Sequence, residues 1–157
     1  MIGTSIPLED ARMHAVTPLL ALVALAVSAV PAHAADSAAT DEAQWGLRKE
    51  NPVEVCQPIG QHAYLARLVC SDQSRPRFER GGSVGNRNPP SSDRAVRERE
   101  FEAMMTFAPL AEGATDYHVI DRYDVHCGET TTAVYMDMYH CPAAPVQRAP
   151  AGFTLQD

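Results

Sequence analysis

The clearest pattern of apolar and polar positions lies in the last third of the chain. From Tyr117 to Cys127 (YHVIDRYDVHC) the residues alternate, which puts Val119, Asp121, Tyr123, Val125 and Cys127 on one face of an extended strand. Gly128-Glu129-Thr130 offers a turn, and Thr131 to Cys141 (TTAVYMDMYHC) is rich in β-branched and aromatic residues. Together they predict a β-hairpin over 117–141. Upstream, Ser92 or Asp93 can cap a helix over 93–107, with Phe101, Met104, Met105 and Ala108 at core spacing. Arginines in its first turns oppose the helix dipole, so it must rely on packing and on pairs such as Arg94–Glu98. Val53 to Val55 reads as a short strand, and Arg77 to Arg80 as another. His62 to Cys70 (HAYLARLVC) fits a strand or a two-turn helix equally well. Gly81 to Ser92 (GGSVGNRNPPSS) reads as a loop by composition. The expected fold class is α+β: a small antiparallel sheet with one main helix.

An uncharged apolar run, Thr17 to Val30 (TPLLALVALAVSAV), precedes Ala32-His33-Ala34. It is too short for a membrane span and ends in small residues, as a cleavable export signal does. Residues 1–34 are therefore expected to be a signal peptide, with Met13 a candidate true start because Glu9 and Asp10 sit badly in a positively charged leader. Residues 35–50 read as a loose lead-in, 51–141 as a single domain, and 142–157 as a flexible tail rich in proline and alanine. After cleavage no membrane anchor is expected, which places the protein in the periplasm or outside the cell.

The chain has 157 residues and a formal net charge of −7 at pH 7. That balance argues against general nucleic-acid binding, which draws its affinity from a broad basic surface. The charge is uneven: arginines crowd residues 75–99, and acidic groups dominate from Glu100 to Asp137. Solvated surface explains this pattern, as does an arginine-lined anion site that would include Arg80 and Arg87.

Cys56, Cys70, Cys127 and Cys141 form two pairs of identical spacing. No C-x-x-C metal spacing occurs, and an exported chain favours oxidation, so two disulfides are expected. The hairpin constrains their connectivity. In it Cys127 lies beside the turn and Cys141 at the far end, roughly 26 Å away along an extended strand. Bridged Cα atoms sit within about 7 Å, so the bonds must cross between the two segments.

Three constellations could carry chemistry. Gly81-Gly82-Ser83-Val84-Gly85 matches the nucleophile-elbow spelling, yet a helix does not follow it directly as that motif requires. Met136, Met138 and His140 alternate along one strand and offer soft ligands for Cu(I), although such methionines are usually core filler. His118, Asp121, Asp137 and His140, with nearby arginines, provide groups for general acid–base work if they converge. The favoured expectation is non-catalytic binding of a small molecule or protein partner, with Arg80, Arg87 and Tyr139 as candidate contacts and no cofactor. A small hydrolase acting on an anionic substrate and a periplasmic copper-binding protein are the alternatives.

Overall fold

The predicted hairpin is the centre of the structure. The computed structural model describes residues 41–156; the leader expected over 1–34 lies outside them. The described residues hold six strands: β1 (Val53–Glu54), β2 (Leu68–Cys70), β3 (Arg77–Asn86), β4 (Val119–Cys127), β5 (Thr130–Asp137) and β6 (Phe153–Leu155). Helices α1 (Gln57–Ala66) and α2 (Arg94–Thr106) accompany them. The main sheet runs β1-β5-β4-β3, and a second sheet pairs β2 with β6. β4 and β5 are antiparallel, with Cys127 opposite Thr130 and Asp121 opposite Met136. Gly128 takes φ 58° at the first of the two turn positions, where a tight hairpin needs a residue free of a Cβ penalty. β1 adds to the free edge of β5 in parallel. The fold is thus α+β with two disulfides, Cys56–Cys141 and Cys70–Cys127, each crossing between the cysteine segments.

The core lies between the main sheet and α1. Tyr123, Val125, Val134 and Met136 point inward from the sheet and meet Tyr64, Leu65 and Leu68, with Val53 and Val55 alongside. On α1 the buried positions are Gln61, Tyr64 and Leu65, the i, i+3, i+4 stripe of a one-sided helix. The segment 62–70 therefore resolves into helix and then strand, because Arg67 ends α1 before Leu68 to Cys70 pair with β6.

Four expectations are corrected. The glycine-rich segment after Arg80 continues β3 to Asn86 rather than looping. Its register slips twice, and Gly82 (φ 109°) and Gly85 (φ 93°) adopt backbone conformations that only glycine enters freely, so the glycines make bulges instead of ending the strand. The tail is ordered: Phe153–Leu155 forms β6, Pro150 is buried, and Tyr64 donates its hydroxyl hydrogen to the Arg148 carbonyl at 2.8 Å. The lead-in is also tied down where described, since Trp45 packs on the core and Tyr135 N–H donates to the Gly46 carbonyl at 2.8 Å. Lastly, α2 forms where predicted and is capped by Asp93, but none of its residues is buried. Phe101 is 61% and Met105 60% exposed, because α1 already covers the core face of the sheet.

Candidate functional site

Strand alternation sorts the candidate residues into two places. Asp121 shares the α1-facing side of β4 with Tyr123 and Val125. There its carboxylate accepts from Gln61 Nε2 (3.2 Å), Arg80 Nε (3.1 Å), Arg80 Nη2 (2.6 Å) and the Ser83 hydroxyl (2.8 Å). Burial opposes ionisation, but these donors outweigh it and hold the Asp121 carboxyl below the usual range. The serine of the elbow-like spelling is thus committed to a carboxylate, with no histidine on it.

This pairing makes a first prediction. Asp121→Asn should lower stability at pH 7 by about 2 kcal/mol, the scale of a charged hydrogen bond lost from a buried site. A carboxylate with a depressed folded-state pKa stabilises above its unfolded value, near 4, and loses that contribution as pH falls through the folded value. Denaturant melts at pH 7 and pH 3 should therefore show the gap between wild type and variant closing on acidification; a constant gap would contradict the assignment.

The second place is on the opposite side of the sheet, where β4 begins and β5 ends. Asp137 is fully buried there, with His118 and Asp116 almost so and His140 half-buried. Asp137 Oδ2 lies 3.0 Å from His118 Nδ1 and 3.3 Å from His140 Nε2. Asp116 Oδ1 lies 3.1 Å from His118 Nδ1, and Asp116 Oδ2 lies 3.0 Å from His140 Nε2. One donor atom from each of the four residues falls within 4.8 Å of all the others.

Local backbone geometry creates this convergence. Asp116 Oδ1 accepts from the His118 backbone N–H at 2.9 Å, and Asp137 Oδ1 accepts from the Tyr139 backbone N–H at 2.9 Å. Both are aspartate turns spanning two residues. The second one bends the chain at the end of β5, so His140 leaves the alternation of the strand and turns back toward Asp137. Behind the cluster, Arg87 Nη1 donates to Asp116 Oδ2 (2.8 Å) and to Glu54 Oε1 (2.6 Å). Glu54 Oε1 is 3.7 Å from His140 Nε2. Tyr139 stacks on Phe107 and tilts against the His118 ring, at centroid distances of 5.8 Å and 5.3 Å. It borders a cleft of about 370 Å³ shared with Glu54, Leu110 and His140.

The charges in the cluster reinforce one another. Hydrogen bonding to Asp116, then to Asp137, pushes the His140 imidazole up to about 10 despite its partial burial. Burial resists ionisation of Asp116 and Asp137, yet their hydrogen bonds hold both carboxyls below the usual range, Asp116 far below.

Of the acid–base candidates, the structure brings together His118, Asp137 and His140, and separates Asp121. Arg80 and Arg87 do not line an open anion site, because each is already bonded to a carboxylate. The copper trio does not assemble either. Met136 is fully buried in the core and Met138 packs against it, whereas His140 turns to the carboxylates. Asp116, Glu54 and the inward role of Arg87 were missed from the sequence. The available signal was the pairing of an aspartate with a nearby histidine at each end of the hairpin, Asp116-Tyr117-His118 and Asp137-Met138-Tyr139-His140. No protein-family model, no curated protein and no solved structure matches the chain.

Proposed function

We propose that this chain is an exported, non-catalytic binding domain whose ligand is a divalent metal ion of the zinc class, held by Asp116, His118, Asp137 and His140. The observation that carries this reading is the convergence of four metal-ligating atoms, two imidazole nitrogens and two carboxylate oxygens, within 4.8 Å. Zinc binds such donors at about 2.0–2.1 Å in a tetrahedron, whose edges are then about 3.3 Å. With Asp116 represented by Oδ2 alone, three nitrogen–oxygen separations are 3.0 to 3.3 Å, close to those edges. Both ligand carboxylates are oriented from behind by backbone N–H groups, and Asp116 also by Arg87, the kind of outer support that metal ligands need.

Charge points the same way. Three carboxylates (Glu54, Asp116, Asp137) against one guanidinium (Arg87) leave −2 once the ion displaces the proton that His140 holds in the metal-free protein, and a divalent cation balances it. Calcium and magnesium suit the site less well, since they prefer six or more oxygen ligands. Four protein donors fill a tetrahedral shell, which favours holding an ion over activating water on it. The hydrolase alternative loses its two expected anion contacts, since Arg80 and Arg87 are both paired with carboxylates. Export to the periplasm or beyond is supported by the two disulfides and by the apolar leader-like run.

Titration of the disulfide-intact protein with Zn²⁺, in competition with a chromophoric chelator, tests this reading. One ion should bind per chain with a dissociation constant below a micromolar value, and Co²⁺ substitution should give the intense visible bands of a tetrahedral site. Absence of stoichiometric binding by either ion would overturn it.

A further inference from the structure

His140 is placed by an exposed disulfide. The chain past β5 is guided first by backbone bonds: Val55 N–H donates to the Asp137 carbonyl at 2.8 Å, and Gln57 N–H to the Met138 carbonyl at 2.7 Å. Tyr139 then bridges Cys56. One residue after His140, Cys141 is bonded to Cys56, with the Cα atoms 4.2 Å apart. Beyond it, residues 142–145 are exposed and carry no regular structure. Glu54, the outer carboxylate beside His140, lies two residues before Cys56. The bond therefore joins the two segments that close the metal cluster on its solvent side.

The two disulfides differ in access. Cys141 is exposed and Cys56 partly so, whereas in the other bond Cys127 is partly exposed and Cys70 is fully buried in the core region. Resting on the metal-binding reading above, we propose that the Cys56–Cys141 disulfide is a redox latch on that site: its formation fixes His140 among the carboxylates, and its reduction by a dithiol releases it. One thiolate of the dithiol attacks the sulfur of Cys141, the more exposed residue of the bond, breaking the protein S–S bond and expelling the Cys56 thiolate. The second thiolate of the reductant then displaces Cys141, closing the reductant's own disulfide. Two electrons pass to the protein, two protons neutralise its new thiolates, and the reductant is oxidised. Asp116, His118 and Asp137 stay on the sheet through their own hydrogen bonds, so only one of four ligands is lost.

The test uses the full chain with Cys56→Ser and Cys141→Ser combined, which removes the bond without leaving thiolates that could themselves bind zinc. Retention of the fold is checked by circular dichroism and by the intact Cys70–Cys127 bond. Zinc affinity should fall between ten- and a hundredfold relative to the oxidised wild type. Alkylation and mass spectrometry during graded reduction of the wild type should show Cys56–Cys141 opening before Cys70–Cys127. An affinity within twofold of wild type, or opening of the buried bond first, would overturn the latch. A second readout needs no metal: in the metal-free protein the ring resonances of His140 should move and sharpen in the double variant, and those of His118 should stay. Unmoved His140 signals sink the latch even if zinc binds. Failure of the oxidised wild type to bind zinc sinks the metal reading instead, and the latch is then decided by the ring resonances.

Discussion

Replacing Cys70 and Cys127 together with alanine should lower stability by about 3–5 kcal/mol and the melting temperature by roughly 15 °C. The two sheets share no strand pair, and this bond ties the end of β2 to the end of β4. Two contributions add. Losing the cross-link frees the unfolded chain around a 57-residue separation. Losing the sulfur of Cys70, which is fully buried, leaves a small void. The bridges are nested, because the 85-residue separation of Cys56–Cys141 encloses the inner one. Either bond alone still constrains much of the same ring, so the two removals should be less than additive in entropy. The inner pair should still cost more, since only it removes packing from the core. Thermal melts of the double-alanine variant under non-reducing conditions check this; a shift within 3 °C would mean that the β2–β6 sheet is held by packing alone.

That bond also shows what the sequence could and could not convey. The crossing of both disulfides between segments followed from one strong element, since the 117–141 hairpin left no room for Cys127 to reach Cys141. The particular partners did not follow, because they depend on β1 pairing with the far edge of β5, a contact between distant residues with no local signature. β3 was cut short at Arg80 because glycines usually signal a turn. Here they relieve two bulges within a strand whose partner, β4, supplies the regularity. The tail concealed β6 behind prolines, and its order comes from pairing with β2 and from the burial of Pro150.

The candidate site was legible in part for a similar reason. His118, Asp137 and His140 stood out because they lie near the two chain ends of the predicted hairpin. Asp121 stood out equally, and alternation already implied the opposite face from His118, since the two are three positions apart, an odd step, in the extended segment that runs into β4. Asp116 precedes the strand, and its place is fixed by a side-chain bond to its own backbone two residues on. His140 breaks strand parity for a like reason at Asp137. Both turns depend on tertiary burial to persist, which periodicity does not report.

Asp137 and Asp121 therefore make a decisive pair of substitutions. Asp137→Asn should weaken zinc binding roughly a thousandfold, about 4 kcal/mol, because an uncharged amide nitrogen takes the place of the ligating Oδ2 in a fully buried position. The isosteric amide keeps its carbonyl oxygen for the Tyr139 N–H, so the turn that aims His140 survives and the loss is one of coordination. Asp121→Asn changes the same residue type on the neighbouring strand, opposite Met136, but on the face that meets α1. It should lower stability as argued above and leave zinc affinity within twofold. Chelator competition on both variants and the wild type, with cobalt spectra alongside, reads the difference directly. Equal losses from the two substitutions would mean that affinity follows general negative charge rather than this cluster. A neutral result at Asp137 would place the metal elsewhere and leave the four residues as an ion-pair network that closes one end of the sheet.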